Sequence, residues 1–478
     1  FCTLLKKEKR SMSYNKKLLE PYRRVGASAA AAPLPLPAGD LTKDGHRREE
    51  EDGDACGSAM CTSNGDTNST TTMYLDPTDR SWRCRTCPYC NGERDATVKY
   101  PKQDPFTFWR ETLRSPRTVV APMVEASELP FRMLCRQHGS DLAYTPMFHS
   151  ASFRDSAEYR RKEFSTCPED RPLFVQFCGH DADTVLAAAR FVETSCDAVD
   201  LNLGCPQGIA RRGFYGAFLM EHWDIVHTIL HTLSVELRCP VTAKMRLFDD
   251  MDVTLSYAKM LVDAGAMVVA VHGRTREQKG QQTGLADLDR IRQVREHIGH
   301  RVPVIANGNI LTFDDVEKNL SLTGCQAVMS AEGLLWDPRL FGNPERPVLT
   351  GRSFHCTKQI RLDAVQTALE YLECVKKYPV ALGFAKGHLF KILYHSYELF
   401  QEDRHRLGDF NCNEGSLEWL TEHVLALKAK EEALDFEGCL SKTSTAQKLA
   451  EKEAVRDAVV EQEESYFIDF ASSALGTQ

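Results

Sequence analysis

A chain of 478 residues has room for two to three domains, and a hydrophobic content of 42% is that of an ordinary globular protein. A net charge of -8 excludes a generally basic nucleic-acid coat, and no apolar run approaches the ~20 residues of a membrane span. The 17 cysteines, mostly scattered singly, read as reduced thiols of an intracellular protein rather than as a disulfide framework.

The first residue is Phe, which leaves Met12 as a candidate start. Residues 1–40 are basic, acid-poor and low in complexity, with an alanine run and a Pro-Leu-Pro-Leu-Pro run. They read as a disordered arm, with an organelle transit peptide as the alternative. Residues 41–75, rich in Gly, Asp, Ser and Thr, are also expected to be disordered, and the Asn68-Ser69-Thr70 sequon is expected to be idle. Next comes Cys84-Arg85-Thr86-Cys87-Pro88-Tyr89-Cys90, with Cys56 and Cys61 upstream. Thiolates two residues apart can share one metal ion. However, the upstream pair is not a CxxC, no His lies between the groups, and no fourth Cys-Pro follows. The set therefore reads as unligated thiols in a flexible arm, and no metal is assigned.

From residue 118 short apolar runs alternate with longer amphipathic segments, the rhythm of βα units. Strands are expected at 118–123, 141–147, 173–178, 198–203, 241–247, 267–272, 302–306 and 327–330. Helices are expected between them, for example from Asp183 to Val192 and from Ser256 to Ala264, where Gly265 ends the latter. Eight such units predict a (β/α)8 TIM barrel. A doubly wound dinucleotide-binding sheet would need a glycine fingerprint after its first strand, where this chain has Ala121-Pro122-Met123-Val124. After residue 350 the strand signals stop, and helices are expected over 358–377, 383–400 and 416–434, with Ser416 capping the last. The expected domains are an extension over 1–110, the barrel over 111–345, a helical domain over 346–434 and an acidic tail over 435–478.

The C-terminal ends of barrel strands share one mouth, so distant residues can meet there. Strand one ends in Pro122-Met123, strand three carries Gln176, and strand four ends in Asn202 with Cys205 just beyond. Lys244 lies in strand five, and strand six ends in His272-Gly273-Arg274-Thr275-Arg276. Asn307-Gly308-Asn309 and Ala331-Glu332-Gly333 follow strands seven and eight. A lysine inside a barrel strand calls for an anionic partner, and the last two loops are where barrels commonly hold phosphate. Gln176 and Asn202 would be amide partners for a heteroaromatic edge. No metal-ligand cluster is expected at the mouth.

These motifs resemble the tRNA-dihydrouridine synthases, in particular the eukaryotic subgroup acting at D-loop uridines sixteen and seventeen. The resemblance rests on Ala121-Pro122-Met123-Val124, Asn202-Leu203-Gly204-Cys205-Pro206-Gln207, Gly213-Phe214-Tyr215-Gly216-Ala217-Phe218-Leu219, His272 to Arg276, Asn307 to Ile310, and Lys386-Gly387-His388-Leu389-Phe390-Lys391. It implies FMN as cofactor and NADPH or NADH as reductant. Pro122, Met123, Val124, Gln176, Lys244, His272, Asn307, Gly308, Asn309, Ala331 and Glu332 would line the flavin, and Cys205 would be the catalytic acid. One departure is Ala331-Glu332, where the broader family carries Gly-Arg; His272 or Arg274 would then have to meet the phosphate. Asn202, Arg211, Arg212, Arg274, Arg276 and Lys386 would contact the substrate. Lys376, Lys377, Lys391, Arg404 and Arg406 of the helical domain would also meet tRNA. A monomer without membrane attachment is expected. The expected compartment is the cytoplasm, with the nucleus and organelle import left open. The competing readings are an FMN barrel acting on a free pyrimidine or small enone, and a non-catalytic tRNA-binding protein. The helical domain argues against the first, and intact Cys205, Lys244 and His272 argue against the second.

Overall fold

The structure, a computed structural model, describes Trp82, Cys84, Thr86, residues 87–342 and residues 357–434. The arm, Cys56, Cys61 and the acidic tail expected from the sequence lie outside the described residues.

The strands are β1 (Thr118–Val120), β2 (Leu142–Tyr144), β3 (Phe148–His149), β4 (Leu173–Cys178), β5 (Ala198–Leu203), β6 (Val241–Leu247), β7 (Val269–Thr275), β8 (Val304–Asn307) and β9 (Ala327–Ser330). All pair in parallel in the order β2-β1-β9-β8-β7-β6-β5-β4-β3, and β2 also pairs with β4, which shuts the ring. β2 and β3 are two pieces of one barrel position, so the barrel has the eight strands the sequence predicts. The break falls at Pro146, which has no N–H to give the ladder. Next to it the Thr145 hydroxyl takes over as acceptor for the Gln176 N–H, at 3.1 Å.

Besides the second strand, three strands differ from expectation in their limits, β8 by running Val304–Asn307 rather than 302–306 and β7 by starting at Val269 rather than 267. The first strand ends at Val120 because Pro122 follows almost at once, whereas β7 continues through His272 to Thr275. Asp181, rather than Asp183, caps the helix Ala182–Arg190, its side chain accepting from the Thr184 N–H. The helix before Gly265 begins earlier than expected, at Met251, because Asp250 caps it.

Alternation along the strands sends one set of side chains inward. The lower interior is apolar: Val119, Leu142, Tyr144, Phe174, Ala198, Ala270, Ile305, Ala327 and Met329 form one buried cluster. Phe108, Trp109 and Leu113, from the turn before β1, join this cluster and close the barrel's N-terminal end. Further up the same strands the inward positions become Gln176, Asp200, Asn202, Thr242, Lys244, Arg246, His272 and Asn307. The barrel is thus greasy at the bottom and polar at the top.

Beyond it lie the helices Lys358–Lys377, Leu382–Ile392, Tyr394–Leu399, Gln401–Asp409 and Leu417–Ala433. The single helix expected over 383–400 is two, broken at Leu393. Gln401–Asp409 was not expected because it has almost no apolar stripe; only Asp403 and Leu407 are buried. Arg361 of the first helix meets Glu431 of the last in a buried ion pair at 2.9 Å. The bundle docks on the barrel through Glu128, buried at the start of the helix Leu129–Gln137. Its carboxylate accepts from the Tyr371 hydroxyl at 2.7 Å and pairs with His388 Nε2 at 3.1 Å. Phe131 stacks on His388 at 4.3 Å beside them. No helix of the described residues is long and apolar enough to cross a membrane.

Candidate active site at the barrel mouth

Cys205 sits three residues past the β5 asparagine, half-buried against Cys178, Ala210, Tyr215, Met147 and Phe218. Its backbone is fixed from two sides. The Asn202 side-chain oxygen accepts from the N–H groups of Gly204 and Cys205, at 3.2 and 3.0 Å, and the Ala217 N–H reaches the Cys205 carbonyl at 3.1 Å. Gly216 makes that contact feasible. Its φ is +65°, and a Cβ there would lie 2.9 Å from both Cβ and O of Cys205.

Asn202 is itself oriented by a chain of buried groups. Its Nδ2 donates to Gln176 Oε1 at 2.7 Å, Gln176 Nε2 donates to Asp200 Oδ2 at 2.8 Å, and the Thr242 hydroxyl donates to Asp200 Oδ1 at 2.7 Å. An ionised carboxylate only accepts. Asp200 therefore dictates which end of Gln176 faces it, Gln176 dictates the same for Asn202, and Asn202 presents an oxygen to the Cys205 loop. Burial raises the Asp200 pKa to about 6, against the opposing effects of Thr242, Gln176 and the Lys244 charge. Asp200 and Thr242 were not singled out from the sequence, although an acid within an apolar strand was the available signal. Gln176 is wholly buried, so it supports Asn202 from beneath.

The cations gather across the mouth. Lys244 is 8% exposed and makes no hydrogen bond or ion pair with another described residue. Burial, with Arg246 nearby, lowers its pKa to about 8, and the charges of Asp200 and Cys205 partly offset this. Arg246, also unanticipated, clamps two exit loops together. Its Nε donates to the Gly204 carbonyl at 2.8 Å and its Nη1 to the Thr275 carbonyl at 2.7 Å. Lys279 adds a second tie, donating to the Pro206 carbonyl at 2.9 Å. His272 is kept neutral by burial and by the charges of Lys244, Arg246 and Arg274. Arg274 Nη1 lies 3.0 Å from His272 Nε2; a guanidinium only donates, so Nε2 is the acceptor and the ring proton sits on Nδ1. Arg274 also donates to Asn309 Oδ1 at 3.2 Å, and Asn309 in turn grips both the N–H and C=O of Ala286 at 2.8 Å. Asn307 Nδ2 donates to the Met329 carbonyl at 3.0 Å, joining β8 to β9. One buried carboxylate against three buried or half-buried cations leaves the mouth positive, suited to an anion.

Other residues singled out from the sequence lie differently. Pro122 and Met123 edge the mouth half-buried, while Val124 is exposed. Gly308 has φ +130° and packs on Ala286. Ala331 precedes the short helix Glu332–Trp336, and the exposed Glu332 acts on Lys391, whose ammonium lies 5.5 Å over the Trp336 ring. Arg211 and Arg212 are exposed on the helix Gly208–Gly213, directly after Cys205. Arg276 is taken up by Glu221 and Glu277. Lys386 donates to the carbonyls of Gly408 and Phe410, at 2.6 and 3.0 Å, and so closes a turn of the bundle.

Comparison with known proteins shows the family. Residues 119–423 match the family described as dihydrouridine synthase (Dus). The chain is 41% identical over 351 residues to a tRNA-dihydrouridine(16/17) synthase of Schizosaccharomyces pombe, covering 72% of this chain and 84% of that one. It is 45% identical over 311 residues to the Saccharomyces cerevisiae protein of the same description, covering 64% of this chain and 71% of that one. A mouse tRNA-dihydrouridine(16/17) synthase-like protein is 45% identical over 318 residues, covering 66% of this chain and 63% of that one. The match runs through the barrel, its polar mouth and the bundle docked on Glu128, and the chain belongs to the dihydrouridine synthase family.

Proposed function

We propose that this protein reduces uridines sixteen and seventeen of tRNA to 5,6-dihydrouridine with electrons from NADPH or NADH, through a bound FMN and with Cys205 as proton donor. Family membership and identities of 41% and 45% to tRNA-dihydrouridine(16/17) synthases support the reaction and its position. The observation that carries the site reading is the positive mouth around Lys244, which has no ion-pair partner among the described residues, together with a thiol held on a fixed loop.

The donor set fits a flavin phosphate. Arg274 and the backbone around Gly308 and Asn309 would offer donors for the phosphate, Lys244 would offer a cation for the electron-rich edge of the ring, and Asn307 and Met123 would help hold it. FMN, when bound and reduced, supplies a hydride for C6 of the uracil. The chain supplies the rest. Asn202 fixes the loop from which the Cys205 thiol delivers a proton to C5. A protonated thiol can donate without a neighbouring base. Arg211 and Arg212, exposed beside Cys205, are placed to meet the phosphates flanking a uridine turned out of the folded D-arm. The helical domain offers exposed Lys376, Lys377 and Arg406 to the same RNA.

Two measurements test this. Mapping dihydrouridine in tRNA from cells lacking the protein should show its loss at both positions; unchanged modification there refutes the assignment. The Cys205→Ala protein should keep its flavin absorbance and lose on the order of 10²–10⁴ in turnover, the usual worth of a positioned acid. A normal rate would remove Cys205 from the mechanism.

A further inference from the structure

The thiols of Cys84, Cys87 and Cys90 do not hang in a flexible arm. They pack against the barrel helix Trp223–Glu236, far later in the chain, and that helix brings His227 among them. One ligand atom from each of Cys84, Cys87, Cys90 and His227 lies within 4.8 Å of all the others. We infer that these four residues form a structural zinc site that staples the segment before the barrel onto its outer face.

The geometry and the chemistry agree. A tetrahedral ion with ~2.3 Å bonds to sulfur holds its donors ~3.8 Å apart, so the set needs only a slight contraction. A cluster of several irons spreads its thiolates over different metal atoms, wider than one ion does. Three thiolates and an imidazole are soft and borderline ligands, which favour zinc over magnesium or calcium. With four protein donors no position is left open, so the site is closed and structural rather than catalytic.

The surroundings hold the donors in place. Cys87 is fully buried, His227 is 5% exposed, and the His227 Nδ1 is buried with no hydrogen-bond partner. An unsatisfied buried donor or acceptor ordinarily costs ~1–3 kcal/mol, whereas a ring nitrogen on a metal carries no such cost. The Trp82 ring covers His227 at 5.1 Å, and the N–H groups of Cys90 and Asn91 both turn back to the Cys87 carbonyl, at 3.0 and 3.1 Å. Tyr89 and Lys99 both bind Glu236, and Arg94 pairs with Asp183, so the knuckle is pinned on either side of the thiols. Yet the segment from residue 86 to 104 contains no helix or strand, and among the described residues its apolar core is Cys87 and Tyr89 on Val235, with Cys84 against them. So small a core needs a staple.

Elemental analysis of the full chain, purified with reductant and without chelator, should find about one zinc per molecule. Replacing zinc with cobalt(II) should give the intense visible bands of a tetrahedral thiolate site. Cys90→Ser, at the exposed ligand, and His227→Gln should each lose most of the metal while far-UV circular dichroism still shows the barrel. A variant that misfolds does not spare the proposal, because metal content and the cobalt spectrum of the unaltered chain are read independently. Absence of stoichiometric metal after growth with zinc, a native disulfide among the three cysteines, or full metal content in both variants overturns it.

Discussion

Lys244 is the residue on which the chemistry of the mouth turns, because it is buried, cationic and makes no ion pair with another described residue. Its pKa of about 8 lies below the ordinary lysine value, chiefly through burial. The unfolded chain therefore holds the extra proton between about pH 8 and ~10.4, so stability of the ligand-free protein rises with pH across that window. Anion binding runs the other way. The ammonium must be charged to hold the electron-rich edge of the flavin ring, so affinity for FMN should fall as pH rises through 8, by at most ~tenfold per unit. Fluorescence titration of flavin-stripped protein between pH 7 and 9 checks this. Lys244→Met should bind more weakly and show no such slope, and a flat profile in the unaltered protein would take Lys244 off the flavin. The strand sequence showed this lysine, since a cation in an apolar run stands out. It did not show Asp200 steering Gln176 and Asn202, because that depends on register across β4, β5 and β6, which links residues from three separate strands.

The element that delivers Cys205 is a loop fixed by its neighbours rather than by its own hydrogen bonds. Gly-Phe-Tyr-Gly in the sequence is recognisable as a motif, but its reason is visible only in the fold: Gly216 packs face to face with Cys205. Gly216→Ala would put a methyl at 2.9 Å from two Cys205 atoms in a backbone region that L residues rarely adopt. The expected cost is ~1–3 kcal/mol of stability, with turnover falling more than flavin content because the loop must move. Gly387→Ala is the contrast. That glycine lies in the exposed part of the helix Leu382–Ile392, and an added Cβ meets nothing within 4 Å, so the change should stabilise by ~0.4–1 kcal/mol. Thermal melts and single-turnover assays of the pair separate a clash at the acid from a general intolerance of alanine. The ends of β4 and β5 were legible because their apolar runs stop at Gly179 and Gly204, whereas β7 runs on through Gly273 to Thr275. The loops were less so: Arg276 and Lys386 look like RNA contacts in sequence, yet each is engaged by groups of its own fold.

At the scale of the whole molecule, an enzyme that works on a folded RNA needs its binding domain set at a fixed angle to the mouth. Here a buried carboxylate, Glu128, links the two, beside a half-buried pair of His138 with Glu370 at 2.8 Å. Glu128 sits just after the Met123 loop of the barrel and accepts from Tyr371 and His388 of two different bundle helices. Burial pushes its pKa up, but the His388 charge and the hydrogen bonds from His388 and Tyr371 outweigh this and hold it below the usual glutamate value. A carboxylate so depressed contributes stability that is present above its unfolded value of ~4.3 and lost as pH falls through the lower folded value. Removing one partner of a buried pair costs on the order of 3–5 kcal/mol, because the other is left uncompensated. Glu128→Ala should therefore lower the melting temperature at pH 7 and loosen the bundle. The KM for tRNA should rise several-fold, while flavin content and the rate at saturating tRNA change little, because neither Cys205 nor Lys244 touches the joint. Lowering the pH towards 3 should bring the melting curves of the variant and the unaltered protein together. If the KM is unchanged while stability falls, Glu128 holds the fold together without setting how the RNA is presented, and the orientation of the bundle must come from elsewhere along the helix Lys358–Lys377.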